Sequence, residues 1–496
     1  MASYMLTLDL GSSGMRAAVV AVNGWRSVGG AARAYRVMRT SGGVALRFSA
    51  NDLRGRMVDC LGRAVSDASV GADDISAISV TAQRGGTAFL DAEGDTLYVG
   101  PNRDMRAVFE GAIIDERWGA AVYATTGHLP SAFLAPAKVH WWQAHHPRVA
   151  EQISTVASLG AWAVHELTGE LRETGSTLVE TGLGDVSSGE PAMALLQKLD
   201  LSLDSIPALV EAGTPTGTLA RAAAAAIGLA AGTPVVLAGP DAQVAALGVG
   251  SVGMGDTAVL AGWSAPVQRV TARPVHDNAR RTWVVRGVAG GRWASEANPG
   301  DTGGTQDMIR RLLGPRMTLA RFDELAVSAP EPQLPLFALW GPRALNMSGP
   351  GMSLGGLITP SPVTYGGIDA GQVARATMEN IAFAIRECVG WLDEVCGGGA
   401  WADAIALTGG MANSTAFASL LAAALGRPVR RHDAHGTAVG AALVAALGQE
   451  AWADAASELA ARGELVKPGN DEIEVGERYE RWLRLRAGLD MLADEV

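Results

Sequence analysis

The 496-residue sequence has few cysteines, little charge of either sign and no long apolar run. Its three cysteines, Cys60, Cys388 and Cys396, match no zinc-binding spacing, which predicts reduced thiols and a cytoplasmic location. No block of lysines and arginines occurs and the net charge is −11, so we expect no nucleic-acid binding. Because no uncharged apolar segment is long enough to span a bilayer, we expect no membrane partner either.

The composition instead indicates a large folded protein. Apolar residues make up 48% of the chain, and 496 residues are too many for one ordinary core, so at least two domains are predicted. Apolar spacing predicts helices over residues 51–68, 132–168 and 372–396. The chain is therefore expected to be a globular α/β protein.

The first candidate site follows the first apolar run. That run ends at Asp9, a turn with Gly11, Ser12 and Ser13 follows, and residues 17–20 form a second apolar run. The pattern is typical of a β-hairpin. Its hydroxyl and backbone N–H groups suit phosphate oxygens, and Asp9 suits a metal ion held through water. An ordinary hairpin with a glycine turn is the alternative interpretation.

A second polar group follows the predicted strand at residues 75–80. Gln83 and Arg84 come directly after it, and ligands of open α/β sheets bind beyond the carboxyl ends of strands. We expect both side chains to hydrogen-bond the hydroxyls of a small polar substrate, with a solvated loop as the alternative. Asp104, between Arg103 and Met105, adds further hydroxyl-binding chemistry.

Asp241 is the candidate general base. It follows an apolar strand at residues 233–238 and precedes a small-residue helix, which predicts a carboxylate at a cleft. Such a carboxylate is placed to take a proton from a substrate hydroxyl. Aspartate is also favoured where a helix begins, so an N-cap role is a compatible alternative.

The second half repeats these themes. Residues 256–267 form another predicted hairpin, with Gly262 at its turn, and the repetition suggests a duplication. A predicted strand at residues 404–408 runs into Gly409 and Gly410, and Asn413 and Ser414 are placed to cap the helix that follows. Free N–H groups at a helix start favour a nucleotide site there.

The ordered motifs resemble the FGGY family of carbohydrate kinases, within the actin-like ATPase superfamily. They extend from residue 5 to about 445: Asp9-x-Gly11-Ser12-Ser13, Gln83-Arg84, Asp104-x-Arg106, Leu167-Thr168-Gly169-Glu170, Gly239-x-Asp241, Leu407-Thr408-Gly409-Gly410 and Thr437-Ala438-Val439-Gly440-Ala441. Arg84 and residues 102–107 also resemble the autoinducer-2 kinases of that family.

The resemblance implies an α/β fold of two ribonuclease-H-like domains with a central cleft. Residues 1–243 would bind sugar and hold the base, and residues 244–496 would bind nucleotide. The implied reaction is ATP-dependent phosphorylation of a hydroxyl on a small sugar, polyol or autoinducer-2-like substrate, with Mg²⁺. A homodimer is the assembly we would test.

The resemblance also implies a role for each matching residue. Asp241 would be the general base and Asp9 the magnesium residue, while Gln83, Arg84 and Asp104 would contact substrate. The residues implied to contact ATP are Gly11, Ser12, Ser13, Gly262, Gly304, Gly409, Gly410 and Asn413.

One departure from the family pattern supports an alternative. Trp263 stands where family members often have a threonine whose hydroxyl meets phosphate. A non-catalytic relative that binds sugar or nucleotide as a regulator is therefore the second hypothesis. An actin-like or chaperone ATPase without a sugar substrate is the third, and the loop at Gln83 and Arg84 argues against it.

Overall fold

The computed structural model describes residues 3–40, 43–329, 335–345, 353–360, 367–397, 402–470 and 472–493. Its two largest sheets contain six strands from the N-terminal half of the chain and seven from the C-terminal half. The α/β class predicted from the sequence is confirmed. Among the described helices, none combines the length and the apolar character needed to cross a membrane.

The N-terminal half begins with a hairpin and ends with a strand that leads into a short helix. Its strands are β1 (Tyr4–Leu10), β2 (Met15–Ala21), β3 (Arg26–Arg33), β4 (Val37–Arg39), β5 (Leu46–Phe48), β6 (Ile75–Ala82), β7 (Thr87–Leu90), β8 (Thr96–Gly100), β9 (Thr155–Ser158), β10 (Arg172–Thr174), β11 (Ala208–Val210), β12 (Gly217–Thr218) and β13 (Pro234–Pro240). Its helices are α1 (Ala50–Ala68), α2 (Val108–Thr126), α3 (Ala135–His145), α4 (Pro147–Ala150), α5 (Leu159–Thr168), α6 (Gly175–Glu180), α7 (Met193–Lys198), α8 (Arg221–Ile227) and α9 (Asp241–Gly248).

The first large sheet has the strand order β12-β13-β6-β1-β2-β3. Strands β1, β2 and β3 form an antiparallel meander because short turns join them, whereas β6 is parallel to β1 and β13 is parallel to β6. Consequently the carboxyl ends of β1, β6 and β13 lie side by side at one edge. The three polar segments predicted around Asp9, Gln83 and Asp241 follow these strand ends.

The C-terminal half is built on a similar plan. Its strands are β14 (Thr257–Leu260), β15 (Val267–Thr271), β16 (Trp283–Arg286), β17 (Trp293–Ala297), β18 (Phe337–Ala338), β19 (Leu357–Ile358), β20 (Ile405–Thr408), β21 (Val429–Arg431) and β22 (Glu464–Val466). Its helices are α10 (Thr302–Leu313), α11 (Leu319–Ser328), α12 (Ala370–Cys396), α13 (Thr415–Leu425), α14 (Gly436–Ala446), α15 (Trp452–Ala460) and α16 (Glu472–Ala493).

The second large sheet has the order β16-β17-β15-β14-β20-β21-β22. Strands β14, β15 and β17 form an antiparallel meander, β20 is parallel to β14, and β21 is parallel to β20. This repeats the order of β1, β2, β3, β6 and β13 in the first sheet. The duplication suggested by the two hairpins is therefore visible in the topology.

Helices α9 and α14 cross between the two sheets at very short distance. A Cβ atom on Gly248 would lie 1.9 Å from the carbonyl oxygen of Gly436, and one on Gly440 would lie 1.9 Å from that of Val244. Only glycine permits such an approach of two backbones. Because α9 begins at Asp241, this crossing fixes the candidate base relative to both halves.

The helical prediction for residues 132–168 is wrong in its middle. Helices α3, α4 and α5 occupy most of that range, but residues Thr155–Ser158 form β9, which pairs with β7. The strand is short and flanked by helices, so its alternation does not stand out from the surrounding pattern. Its β-structure depends on a partner strand more than sixty residues earlier.

Candidate active site

Asp9 lies at the end of β1, where the hairpin turn begins. Its Oδ1 atom is buried and has no hydrogen-bond partner within the described part of the chain. Burial raises the pKa of this carboxyl to about 6, and the nearby positive charge of Arg16 opposes the rise. An unsatisfied buried carboxylate oxygen is costly unless a ligand or a cation engages it.

Asp241 is the first residue of α9, directly after β13. The residue in the N-cap position is Pro240, so the alternative N-cap role for Asp241 is wrong by one position. Its Oδ1 accepts the backbone N–H of Ala242 at 2.8 Å. Burial and, after it, the charge of Asp9 raise the pKa of Asp241 to about 7, while the charge of Arg84 opposes the rise. A carboxylate that titrates near neutral pH suits a general base.

Gln83 links the first turn to the loop at residue 102. Its Nε2 donates to the carbonyl oxygen of Gly11 at 3.3 Å, and its Oε1 accepts the backbone N–H of Asn102 at 3.1 Å. The Asn102 amide then donates to Ser12 Oγ at 3.2 Å. Gln83 is therefore buried between two loops and positions them, while Ser13 next to Ser12 is exposed.

Arg84 pairs with carboxylates from both halves. Its Nη1 lies 2.5 Å from Glu296 Oε2 on β17 and 3.7 Å from Glu180 Oε2 at the end of α6. Burial alone would lower the pKa of Arg84, but the charges of Glu296 and Glu180 outweigh burial and raise it. The guanidinium consequently stays charged and joins the two halves across the cleft.

Two further side chains complete this buried network. Glu180 Oε2 lies 3.3 Å from His128 Nε2, and Glu180 Oε1 accepts from Gln243 Nε2 at 2.6 Å. Burial would raise the pKa of Glu180, but the neighbouring charges of His128 and Arg84 lower it overall. The other ring nitrogen of His128, Nδ1, lies 2.8 Å from the carbonyl oxygen of Thr126.

Glu296, Glu180 and His128 were not singled out by the sequence reasoning. A signal existed at the end of β17, where Glu296 is the last residue but one and Asn298 directly follows the strand, as Gln83 directly follows β6. Glu180 is the last residue of α6 and His128 follows α2, and neither helix carries a recognisable motif. Only the fold brings them to Arg84.

A cavity of about 170 Å³ lies between the halves beside Arg84. It is lined by both charged and aromatic side chains. The N-terminal half contributes Ser12, Arg84, Gly85, Asn102, Arg103, Phe133, Leu134 and Glu180. The C-terminal half contributes Trp263, Ser264, Arg281, Trp283, Glu296, Asn298, Gly300, Asp301 and Leu345.

Asp104, which the sequence analysis expected to contact substrate, does not line this cavity. Its carboxylate is fully buried and accepts from the Leu46 backbone N–H at 2.9 Å, Tyr98 OH at 2.6 Å and Arg106 Nε at 2.6 Å. With these donors both oxygens are already satisfied. In this structure Asp104 holds the neighbouring loop together.

Four of the five glycines implied to contact nucleotide lie close together in the C-terminal half, namely Gly262, Gly304, Gly409 and Gly410. The Met411 N–H donates to the carbonyl oxygen of Ala261 at 3.1 Å, which joins the turn before Gly262 to the turn after Gly410. Gly409 has a φ of +97°, and a Cβ there would lie 2.5 Å from the same oxygen. Glycine is thus required at Gly409 by both conformation and space.

Gly410 and Asn413 bound the open side of this turn. A Cβ on Gly410 would meet nothing within 4 Å, so space remains beside its backbone. Asn413 is exposed at the end of a short 3₁₀ turn, and Ser414, not Asn413, caps α13 by accepting from the Phe417 N–H at 3.0 Å. Of the predicted pair Asn413 and Ser414, Ser414 is therefore the residue that caps the helix. The contact of Asn413 with nucleotide stays a prediction.

Trp263 fills the space over Gly304. A Cβ on Gly304 would lie 2.8 Å from Cε2 of the indole, and the Gly304 N–H donates to the Trp263 carbonyl oxygen at 3.2 Å. The indole Nε1 donates to Asp301 Oδ1 at 3.0 Å. The side chain that departs from the family pattern thus lies flat against one of the implied nucleotide residues.

The residues present fit a magnesium ion that is held mainly through water and phosphate. No group of three or more histidine, cysteine or acidic side chains suited to a metal occurs among the described residues. Mg²⁺ usually keeps several waters and takes only one or two protein carboxylates. The unsatisfied Oδ1 of Asp9 offers such a ligand.

Comparison with known proteins agrees with this arrangement. Residues 4–248 match the N-terminal domain of the FGGY family of carbohydrate kinases, and residues 301–448 match its C-terminal domain. An autoinducer-2 kinase of Enterobacter sp. (strain 638) is 29% identical over 498 residues, which cover 94% of this chain and 89% of that protein.

Solved structures show the same fold. The chain superposes on a xylulose kinase from Rhodospirillum rubrum with a TM-score of 0.81 at 25% identity, covering 99% of this chain and all of that one. A gluconate kinase from Lactobacillus acidophilus gives a TM-score of 0.83 at 17% identity, with 99% of both chains covered. The fold is therefore the two-domain fold of actin-like ATPases, and the chain belongs to the FGGY family of carbohydrate kinases.

Proposed function

We propose that this kinase phosphorylates a hydroxyl of a small sugar, polyol or autoinducer-2-type compound, using Mg²⁺ and ATP. One observation carries the proposal: Asp241 begins α9 at the cleft, close enough to Asp9 for the two charges to interact, and its pKa is raised to about 7. A buried carboxylate with that pKa is half deprotonated at neutral pH and is still basic enough to accept a hydroxyl proton.

In this proposal the chain supplies positioning and one base. Asp241 accepts the proton of the substrate hydroxyl, and Asp9 holds Mg²⁺ through its free oxygen. Bound ATP supplies the phosphoryl group. Gly11 and Ser12 on one side and the turns at Gly262 and Gly409 on the other are the predicted phosphate contacts. Phosphoryl transfer depends mostly on such positioning and on charge neutralisation.

The cavity chemistry supports a small polyhydroxylated substrate. Its volume of about 170 Å³ suits a compound of a few carbon atoms. Arg84, Glu180 and Glu296 place donors and acceptors at one wall, which suits vicinal hydroxyls, and Trp283 and Phe133 give apolar surface for a carbon skeleton. The similarity to an autoinducer-2 kinase favours a substrate of that type.

The test is ATP consumption with magnesium against a panel of small sugars and polyols that includes the autoinducer-2 precursor. We expect turnover with at least one compound and its loss in Asp241→Asn, with the variant folded as judged by circular dichroism. The exposed Asp403→Asn is the matched control and should keep full activity. Full turnover in Asp241→Asn would remove Asp241 as the base.

A second candidate function rests on Trp263. Because its indole packs on Gly304, it occupies space beside an implied nucleotide residue, which favours a relative that binds a ligand without catalysis. Calorimetric titration with ATP distinguishes the two functions. If Trp263 limits nucleotide affinity, Trp263→Thr binds ATP more tightly than the wild type, and an unchanged affinity contradicts that role.

The cytoplasmic location and the homodimer that the sequence suggests stay predictions.

A further inference from the structure

Arg103 differs from the other arginines that line the cavity. Arg84 is paired with Glu180 and Glu296. Arg281 is paired with Asp277 and Glu394, and each of its two distances is 2.9 Å. These guanidinium charges are therefore neutralised within the protein. An anionic ligand gains little from them, because each is already committed to carboxylates.

No carboxylate pairs with Arg103 in the part of the chain that the structure describes. Its Nε atom is buried and lacks a hydrogen-bond partner there, while its guanidinium carbon lies 5.0 Å from the centre of the Trp263 ring. Stacking on an indole stabilises a cation but leaves the N–H donors unused. The cavity thus contains a guanidinium with free donors.

The position of Arg103 connects the two candidate phosphate sites. Its neighbour Asn102 donates to Ser12 Oγ in the first hairpin turn, and its own side chain covers Trp263 in the second. Asp301, the carboxylate nearest to that indole, accepts from Trp263 Nε1 at 3.0 Å. A group held between the turns of Ser12 and Trp263 would therefore meet the donors of Arg103.

We propose that Arg103 binds the phosphoryl group during its transfer and neutralises its charge, which rests on the proposed kinase function. In the step, the substrate hydroxyl oxygen forms a bond to the terminal phosphorus of ATP and the bond from that phosphorus to the bridging oxygen breaks. ADP leaves, and the hydroxyl proton passes to Asp241. Arg103 donates hydrogen bonds to the non-bridging oxygens, whose charge remains in the phosphorylated product.

Binding measurements test the contact without requiring turnover. Calorimetry compares ATP with ADP, which lacks the transferred group, for the wild type, Arg103→Ala and Arg103→Lys. We expect Arg103→Ala to lose about tenfold in ATP affinity, to keep its ADP affinity within about threefold, and to regain part of the loss as Arg103→Lys. Arg36→Ala, which removes a largely exposed arginine of the same half, should change neither affinity.

Kinetics with the active sugar supplies the second readout. We expect kcat of Arg103→Ala to fall by at least about 100-fold with a small change in the KM for sugar, and added guanidinium ion to restore part of it. If the wild type turns over no sugar, the proposed function fails, but the ATP and ADP comparison still tests Arg103.

Three outcomes would overturn the proposal. An unchanged ratio of ATP to ADP affinity with kcat within about threefold of the wild type means that Arg103 contacts no transferred group. If Arg103→Ala raises only the KM for the sugar, the guanidinium of Arg103 binds an anionic group of the substrate and not the transferred phosphoryl group. If Arg103→Ala loses affinity equally for ATP, ADP and sugar, the role of Arg103 is to hold the two halves together through its contact with Trp263.

Discussion

Asp241→Asn should make the protein more stable at pH 8 while abolishing catalysis. The structure buries Asp241 beside Asp9, and together these effects raise its pKa from 3.8 to about 7. The folded state therefore disfavours the charged form that prevails at pH 8. An uncharged amide of nearly the same shape removes that cost, which is the usual conflict between stability and function at a catalytic group.

The pKa values set the size of the effect. A difference of about 3 pKa units corresponds to roughly 4 kcal/mol at about 1.4 kcal/mol per unit, when the group is charged in both states. Because the Asp241 side chain retains some contact with solvent, we expect Asp241→Asn to gain only about 2 kcal/mol of unfolding free energy at pH 8. Since the folded pKa is the higher one, the cost is complete above about pH 7 and disappears below about pH 4; less than half remains at pH 5.

Urea-induced unfolding followed by circular dichroism measures this gain at pH 8 and at pH 5, without magnesium or nucleotide. We expect Asp241→Asn to raise the free energy of unfolding at pH 8 and to raise it less at pH 5. The exposed Asp403→Asn should change it at neither pH. A loss of stability at pH 8, or an equal gain at both values, would refute burial as the cause of the raised pKa.

Three other predictions follow from particular contacts. Gly440→Ala should cost at least about 2 kcal/mol of unfolding free energy by pushing α14 away from α9, whereas Gly55→Ala, at an exposed position in α1 with open space, should gain up to about 1 kcal/mol; equal effects would contradict the close crossing. Arg84→Ala should remove the guanidinium that Glu296 and Glu180 share and leave Glu296 without a cationic partner among the described residues, costing about 3 to 5 kcal/mol and weakening sugar binding more than ATP binding; equal loss of both ligands would indicate a structural role. The value of kcat/KM should fall tenfold per pH unit below about pH 7 as Asp241 takes up a proton, and a flat profile down to pH 5 would exclude it as the base.

The sequence was informative wherever a strand leads directly into a polar turn. Asp9, Gln83 and Asp241 each follow a strand of the first sheet, and the parallel order of those strands brings the three segments to one edge. It was uninformative where burial depends on distant partners. Asp104 looked available for substrate, but Tyr98 and Arg106 fold over it and use its oxygens.

Long-range pairing explains the other omissions. Arg84 and Glu296 are 212 positions apart, and nothing local to either residue indicates that they meet. Each residue carries the charge that the other needs in order to be buried, so the pair can be recognised only once the positions of both sheets are known. The same reasoning applies to β9. Local periodicity predicted a helix there, but pairing with β7 makes the segment a strand.

In the proposed function, these contacts make substrate recognition depend on both halves. The cavity wall formed by Arg84 and Glu180 belongs to the first half, whereas Glu296 and Trp283 belong to the second. If the halves separated, Arg84 and Glu296 would each lose a buried partner and the cavity would lose half of its lining. A sugar that contacts both walls, as proposed, would therefore stabilise the arrangement in which the halves are joined, because ligands stabilise the state that they bind better. In the proposed reaction, closure would also shield the substrate hydroxyl at Asp241 from competing water, which a kinase requires if ATP is not to be hydrolysed.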